Sequence, residues 1–322
     1  MGSPDKLARE NIMKILISSK SFGKDDTSAL KLLKDAGLEP VMNPYGRSLE
    51  FEEFSELIED AVGLIAGTEK ITGELLRKAR SLKVISRFGV GTDNIDLEAA
   101  KKLGIIVHST PEAPTLAVAE LALSMMLCLS RKICETDRNM HSGVWSPMIG
   151  SLLSGKTLGI IGLGRIGREL VRLVAPFKLG IIAHELYPDP GFVSQYDVKL
   201  ESLEKVMSES DIISLHMPLS SNTRNIIGEK ELSLMKSHAI LINSARGGLV
   251  DENALIKALE RGSIGGAGLD VFEIEPYKGQ LIKFSNVILT PHIGSYTTET
   301  RIRMEKETVD NLINALSELK IK

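Results

Sequence analysis

A glycine-rich turn between a short apolar run and an amphipathic segment restricts the fold of this chain more than any other feature. Residues 157–161 are typical of a strand, and they lead into Gly162-Leu-Gly164-Arg-Ile-Gly167, after which the pattern predicts a helix. In that context Gly162 permits a tight turn, Gly164 lets backbone approach a pyrophosphate, and Gly167 lets helix and strand pack closely. The segment therefore predicts a dinucleotide-binding βαβ unit.

The residues around this turn indicate which dinucleotide it binds. Arg165 and Ile166 lie at the N-terminus of the predicted helix, where free N–H groups and partial positive charge suit phosphates. Glu185 ends the next predicted strand. A carboxylate there accepts hydrogen bonds from the adenosine ribose and repels a 2′-phosphate, so NAD is favoured over NADP. Arg165 and His184 leave the strictness of that preference open.

The remaining sequence alternates short apolar runs with amphipathic helices, a pattern typical of parallel sheets covered on both faces. We therefore predict an α/β protein with two doubly wound parallel-sheet domains, a Rossmann NAD-binding domain and a smaller flavodoxin-like substrate domain. The rhythm breaks at Pro111-Glu-Ala-Pro114, and a last helix at 297–319 is expected to return to the first domain. The predicted domains are 13–111 with 296–322 for substrate binding and 112–295 for NAD binding, preceded by a flexible leader at 1–12.

Strands are predicted in both domains from their apolar runs. The substrate domain has them at 14–18, 40–42, 62–66, 83–86 and 105–108. The NAD-binding domain opens with a long helix at 115–131 and an irregular segment that contains Trp145. Its six predicted strands are 157–161, 180–183, 211–215, 239–242, 266–270 and 287–289.

The composition limits the partners of the chain. Its net charge of −3 provides no basic field to hold nucleic acid or an anionic membrane non-specifically. No apolar run reaches the ~18 residues of a transmembrane helix. The only cysteines, Cys128 and Cys134, lie in or beside one apolar helical stretch, which favours buried thiols and a reducing cytoplasm. No metal site is predicted.

Three ionisable residues follow consecutive predicted strands in the last third of the chain. Arg246 lies in Asn-Ser-Ala-Arg-Gly-Gly, Glu275 in Asp-Val-Phe-Glu-Ile-Glu-Pro, and His292 in Thr-Pro-His-Ile-Gly-Ser. Ligands of open α/β sheets bind outside the carboxyl ends of the strands, so all three are expected at the cofactor's edge of the sheet.

These residue types suit the oxidation of a 2-hydroxy acid, which loses a hydride from carbon and a proton from oxygen. Histidine titrates near neutral pH and can take the proton. We hypothesise that Glu275 orients the ring of His292 and stabilises its charged form. Arg246 offers a planar fork to the substrate carboxylate and 2-oxygen.

The chain resembles the D-isomer-specific 2-hydroxyacid dehydrogenase family, in a short form without a regulatory domain. The resemblance covers nearly the whole chain from Met13. Its segments, which occur in the family's order, are 87–96, 162–167, 216–218, 243–248, 269–276 and 291–295. It implies that Arg246, Glu275 and His292 are the catalytic residues.

The resemblance also implies contacts with the cofactor and the substrate. Asp270 is expected to meet the nicotinamide carboxamide, and the N–H groups of Val90 and Gly91 to bind the substrate carboxylate. Thr68 is a further candidate for the substrate. The other implied cofactor contacts are His216, Pro218, Thr223, Ser244, Ala245, Arg246, His292, Gly294 and Ser295. Members of the family commonly form dimers, which places 115–145 at an expected homodimer interface.

The substrate is less well defined by the sequence. Family members that use 3-phosphoglycerate hold the phosphate with arginines after an early strand, whereas this chain has Ala66-Gly-Thr-Glu-Lys70 there. Glu69 would repel a phosphate unless Lys70 or Arg47 compensated, and an exposed turn charge is the favoured reading of Arg47. The candidates therefore stay 3-phosphoglycerate, glyoxylate, hydroxypyruvate and other short 2-oxo acids.

Two alternatives share the fold and the trio. One is a non-enzymatic NAD(H) sensor similar to the co-repressors of this family, although nothing in 13–111 marks a peptide groove. The other is phosphite oxidation. Formate oxidation is disfavoured because formate dehydrogenases of this fold carry glutamine where Glu275 stands.

Overall fold

The computed structural model describes residues 13–320, so the predicted leader at 1–12 lies outside the described residues. The chain divides into two compact units. Unit 1 comprises the chain up to Pro114 together with the segment that begins at Tyr296, and unit 2 is Thr115–Ser295. The sequence placed these two breaks after residues 111 and 295.

Unit 1 is built on five parallel strands in the order β2-β1-β3-β4-β5. This is the flavodoxin-like order of a doubly wound sheet. Its strands β3 and β4 are buried throughout because helices cover both faces. The strands are β1 (Met13–Ile17), β2 (Leu38–Met42), β3 (Gly63–Ala66), β4 (Val84–Arg87) and β5 (Ile106–Ser109), and the helices are α1 (Ser28–Asp35), α2 (Phe51–Ile58), α3 (Gly73–Lys78), α4 (Leu97–Lys102) and α12 (Thr298–Glu318).

Helix α12 completes the core of unit 1 although it comes from the other end of the chain. It packs on β3, β4 and β5 and against α1. Its buried side chains include Met304, Val309 and Leu312, which join one hydrophobic cluster with residues of β1. Gly63 allows this close approach, since a Cβ there would lie 3.0 Å from Leu312 Cδ1.

Unit 2 has seven parallel strands in the order β12-β11-β10-β9-β6-β7-β8. The order turns back between β6 and β9, as in a Rossmann sheet, and β12 adds one strand at the edge. The strands are β6 (Thr157–Ile161), β7 (Gly180–His184), β8 (Lys199–Leu200), β9 (Ile212–Leu215), β10 (Ile240–Asn243), β11 (Gly266–Leu269) and β12 (Val287–Leu289). The helices are α5 (Thr115–Ser130), α6 (Ile133–His141), α7 (Arg165–Val174), α8 (Pro190–Gln195), α9 (Leu203–Glu209), α10 (Glu229–Leu234) and α11 (Glu252–Glu260).

Three elements were missing from the sequence prediction, and each lacks a clear apolar period. Strand β8 consists of two exposed residues at the edge of the sheet. Helix α6 buries none of its side chains and follows Lys132, whose φ is 54°. Helix α3 has only six residues. In so short or so polar a segment, the sequence pattern does not distinguish a helix or a strand from a loop.

The described part of the chain also bears on the predicted partners. Between residues 13 and 320, no helix is long and apolar enough to cross a membrane. No group of three or more His, Cys, Asp or Glu side chains in the same range could hold a metal ion. Cys128 and Cys134 are free thiols, and both are half-buried rather than buried as the sequence suggested.

A carboxylate fastens the amino-terminal edge of the sheet in unit 2. Asp211, directly before β9, accepts hydrogen bonds from the Thr157 backbone N–H (2.8 Å), His238 Nε2 (2.8 Å) and Lys236 Nζ (3.1 Å). Burial alone would raise the pKa of Asp211, but these donors outweigh it and lower the pKa to about 2. The charged form of Asp211 therefore stabilises the fold.

We predict that Asp211→Asn destabilises the protein by on the order of 2 kcal/mol at neutral pH. Because the pKa of Asp211 is lower in the folded than in the unfolded chain, this stability is fully present above about pH 5 and is lost as the pH falls toward 2. Urea unfolding at several pH values measures the gap between wild type and variant. Asp60→Asn, at an exposed pair with Lys14, is the control. A gap independent of pH would contradict the prediction.

Candidate active site

Three parallel strands bring the candidate catalytic residues to one edge of the sheet. Strands β10, β11 and β12 are adjacent and in register. Arg246, Glu275 and His292 each follow the carboxyl end of one of them. The carboxyl ends of parallel strands lie at the same edge of a sheet. The three segments that follow these strands therefore lie close together although they are distant in sequence.

Glu275 and His292 form a hydrogen-bonded pair. His292 Nδ1 lies 2.9 Å from Glu275 Oε2, and Glu275 Oε1 accepts the Phe272 backbone N–H at 3.1 Å. Burial raises the pKa of Glu275. The hydrogen bond from His292, the charge of His292 and the hydrogen bond from the Phe272 N–H together outweigh burial, so the pKa of Glu275 lies below its ordinary value. The carboxylate is thus charged at neutral pH, and Nε2 of His292 is the ring atom left for other chemistry.

Arg246 belongs to the same electrostatic group. Its positive charge is one of the causes that lower the pKa of Glu275. Its backbone is extended, and its carbonyl accepts the Asn243 side-chain amide at 2.8 Å, so the turn after β10 is fixed. The guanidinium donates to the Ala245 carbonyl at 2.6 Å.

A buried carboxylate shapes the loop that carries His292. Asp270 is fully buried. Its Oδ1 accepts hydrogen bonds from Thr290 Oγ1 (2.6 Å) and the Ile293 N–H (2.7 Å), and its Oδ2 accepts one from the Gly294 N–H (2.8 Å). Burial raises the pKa of Asp270, and these donors oppose that shift. His292 has a φ of 56°, a left-handed conformation that a non-glycine residue seldom adopts without support. Sequence reasoning missed this supporting role, and the nicotinamide contact expected of Asp270 stays a prediction.

The glycine turn has the features that the motif predicts. Gly162 has a φ of 94°, and a Cβ there would lie 2.7 Å from the His216 carbonyl oxygen. A Cβ on Gly167 would overlap the carbonyl oxygen of Gly162. A Cβ on Gly164 would meet nothing within 4 Å. Gly162 and Gly167 are therefore required by the protein itself, whereas the space beside Gly164 is open to a ligand that approaches the start of α7.

Glu185 lies beside this turn. Its Oε2 accepts the Leu163 N–H at 2.7 Å and its Oε1 accepts the Tyr187 N–H at 2.9 Å. Both bonds fix the carboxylate next to the turn and leave it partly exposed. A carboxylate has about four acceptor positions, so Glu185 can still accept ribose hydroxyls.

Two polar atoms at the same edge have no protein partner. His216 directly follows β9, and Ser244 directly follows the neighbouring strand β10. The atoms His216 Nδ1 and Ser244 Oγ are both buried and form no hydrogen bond. Burial lowers the pKa of His216 to about 4, so the ring is neutral. Buried polar atoms are normally satisfied, so these two fit an edge built to receive a polar ligand.

The other candidate residues also line the carboxyl edges. Thr223 Oγ1 donates to the Pro218 carbonyl at 2.8 Å and closes the loop after β9. Gly294 is held by Asp270, and Ser295 ends unit 2. In unit 1, Thr68 follows β3, and Val90 and Gly91 follow β4.

The loop that carries Val90 is fixed on its own sheet. Gly89 has a φ of 143°, its N–H donates to Thr110 Oγ1 at 2.9 Å, and its carbonyl accepts the Thr110 N–H at 3.0 Å. Val90 is 40% exposed, which leaves its side of the loop open to solvent. The loop therefore presents backbone at the carboxyl edge of unit 1.

Comparison with known proteins shows what this chain is similar to. The sequence model of the D-isomer specific 2-hydroxyacid dehydrogenase NAD binding domain matches residues 123–294. A glyoxylate reductase of Thermococcus litoralis is 47% identical over 256 residues, which are 76% of this chain and 77% of that protein. A D-3-phosphoglycerate dehydrogenase of Methanocaldococcus jannaschii is 43% identical over 279 residues, and the match covers 85% of this chain but only 52% of that protein.

A solved structure has the same fold. The D-lactate dehydrogenase of Aquifex aeolicus, complexed with NAD and lactic acid, is 30% identical, with a TM-score of 0.84. The similarity covers 96% of each chain.

The glycines of the turn give a direct test of cofactor binding. We predict that Gly164→Ala leaves the melting temperature unchanged but weakens NADH binding about 10-fold or more, because the added methyl group occupies the space beside the helix N-terminus. Gly167→Ala should instead destabilise the protein by about 1–3 kcal/mol through overpacking. Fluorescence titration with NADH and thermal unfolding measure the two effects. Equal NADH affinity for Gly164→Ala and wild type would refute the cofactor position.

Proposed function

The chain belongs to the D-isomer-specific 2-hydroxyacid dehydrogenase family, and we propose that Arg246, Glu275 and His292 catalyse its NAD-dependent interconversion of D-2-hydroxy acids and 2-oxo acids. The observation that carries this proposal is the 2.9 Å contact between His292 Nδ1 and Glu275 Oε2 at the carboxyl edge of the sheet. The cofactor, when bound, accepts or supplies the hydride at substrate carbon 2.

His292 handles the proton of the reaction. In oxidation the C–H electron pair of the alcohol leaves as hydride, and the O–H proton passes to His292 Nε2, which leaves a carbonyl group. Glu275 fixes the ring through Nδ1 and stabilises the positive charge that the ring gains. In reduction the same Nε2 returns the proton to the 2-oxygen.

Arg246 positions the acid. Its planar guanidinium can donate two parallel hydrogen bonds, which suits a carboxylate or a carboxylate and an adjacent oxygen. We propose that the N–H groups of Val90 and Gly91, with Thr68, also bind the substrate. On this proposal residues 13–111 with 296–322 supply the substrate loops, and residues 112–295 bind NAD.

NAD fits the residues of unit 2. The open space beside Gly164 suits a pyrophosphate, and the fixed carboxylate of Glu185 suits unmodified ribose hydroxyls. The unpartnered His216 Nδ1 and Ser244 Oγ suit further polar atoms of the cofactor. The same carboxylate would repel a 2′-phosphate, so we propose a preference for NAD over NADP.

Glyoxylate, hydroxypyruvate and 3-phosphoglycerate are the candidate substrates. Relatives named for glyoxylate reduction and for 3-phosphoglycerate oxidation support the first and the last. A panel of 2-oxo acids with NADH and with NADPH separates them. Absence of turnover with every acid, together with tight NADH binding, would instead favour a sensor.

We also propose a homodimer in the cytoplasm. Exposed apolar side chains on and after α6, including Trp145 (83% exposed) and Ile149 (93% exposed), support a protein interface near the predicted 115–145 segment. The free thiols of Cys128 and Cys134 suit a reducing compartment. Sedimentation velocity measures the oligomeric state, and a monomer would refute the interface.

We predict that His292→Gln lowers kcat by on the order of 10²-fold or more while NADH affinity is kept, because the proton acceptor is lost. Arg246→Lys should lower substrate affinity and turnover together, since the charge stays but the fork is lost. Steady-state kinetics and NADH titration measure both. His108→Gln, at an exposed side chain outside the proposed site and the proposed interface, is the matched control. Near-normal turnover of His292→Gln would disprove the assignment.

A further inference from the structure

The sheet of unit 1 reverses its strand order between β1 and β3. At such a switch point the loops that follow the two strands lead to opposite faces of the sheet. Open α/β sheets bind ligands in the crevice that this leaves outside the carboxyl ends of the strands. Ser18 directly follows β1, and Gly67, Thr68 and Glu69 follow β3. These residues therefore form the part of unit 1 that a ligand of this sheet would meet.

The carboxylate of Glu69 is fastened at this switch point. Ser18 Oγ lies 3.0 Å from Glu69 Oε2, and the Gly67 N–H donates to Ser18 Oγ at 3.0 Å. A Cβ on Gly67 would lie 2.5 Å from Glu69 Oε2, so the carboxylate folds over the glycine. Asn94 Nδ2 donates to the Glu69 carbonyl at 2.7 Å and fixes the backbone as well. The negative charge is thus held in place between the ends of β1 and β3.

Two cations of unit 1, Arg47 and Arg301, are engaged by other side chains. Arg47 forms a two-point ion pair with Glu53, at 2.6 and 2.9 Å, and so does not provide the compensation that the sequence left open. Arg301 donates to Ser21 Oγ at 2.7 Å. Lys70 is exposed, and among residues 13–320 Glu69 has no ion pair within 4 Å.

We propose that Glu69 is a specificity-determining residue, which disfavours 2-oxo acids with an anionic group on carbon 3 and favours those with a hydroxyl group there. The inference rests on the proposed function and narrows its substrate class. A carboxylate accepts a hydrogen bond from a hydroxyl group, whereas a phosphate ester beside Glu69 would place like charges together. The chain therefore acts on short, unphosphorylated acids such as hydroxypyruvate in preference to their phosphate esters.

The test compares NADH oxidation with hydroxypyruvate, its 3-phosphate ester and glyoxylate, which has no carbon 3. Wild type should prefer hydroxypyruvate to the ester by about 10-fold or more in kcat/KM. Glu69→Gln keeps the shape and the acceptor oxygen but removes the charge, so it should narrow that ratio through a lower KM for the ester. Glyoxylate, which has no group on carbon 3, serves as the reference substrate for every variant.

Glu74→Gln is the matched control, because it removes the same charge from an exposed position in the first turn of α3. Equal use of the two acids by wild type, or the same ratio in Glu69→Gln as in Glu74→Gln, would overturn the role of Glu69 while leaving the proposed function intact. No turnover with any of the three acids would overturn the proposed function itself. Inhibition of glyoxylate reduction by the ester gives a second readout: Glu69→Gln should be inhibited more strongly than wild type, and equal inhibition would count against the proposal.

Discussion

The buried carboxylate of Asp270 is the constraint on which the candidate active site depends. It accepts three hydrogen bonds from residues 290–294, and its own carbonyl accepts the His292 N–H at 2.9 Å. These bonds support a left-handed backbone at His292 that would otherwise be unfavourable. The imidazole is thereby placed where Glu275 can reach Nδ1 and leave Nε2 available. Burying the carboxylate costs free energy, and the hydrogen bonds that it accepts from the loop offset that cost.

The two edges of the sheet in unit 2 use carboxylates for different purposes. At the amino edge, Asp211 is satisfied entirely by protein donors and contributes stability. At the carboxyl edge, Glu185 and Glu275 are fixed by backbone N–H groups but stay partly exposed. This edge also has the unpartnered atoms of His216 and Ser244. The contrast follows from the topology, because only the carboxyl edge has loops that diverge and make room for a ligand.

Much of this arrangement could be predicted from the sequence, since strong local signals determine it. The spacing of Gly162, Gly164 and Gly167 indicates a turn whose steric demands the structure shows atom by atom. Helix α6 and strand β8 could not be predicted, because their side chains are mostly exposed and leave no apolar period. The loop-supporting role of Asp270 was also out of reach, since it depends on which side chain is buried beneath a loop.

The Glu275–His292 pair is the central claim, and a double-mutant cycle tests it most directly. The kcat of wild type, Glu275→Gln, His292→Gln and the double variant would be measured with the best acid of the panel. If the two side chains act as one unit, the double variant should be no slower than His292→Gln alone, because Glu275 has nothing left to support. Losses that multiply in the double variant would contradict the account, since they would mean that Glu275 acts independently of His292.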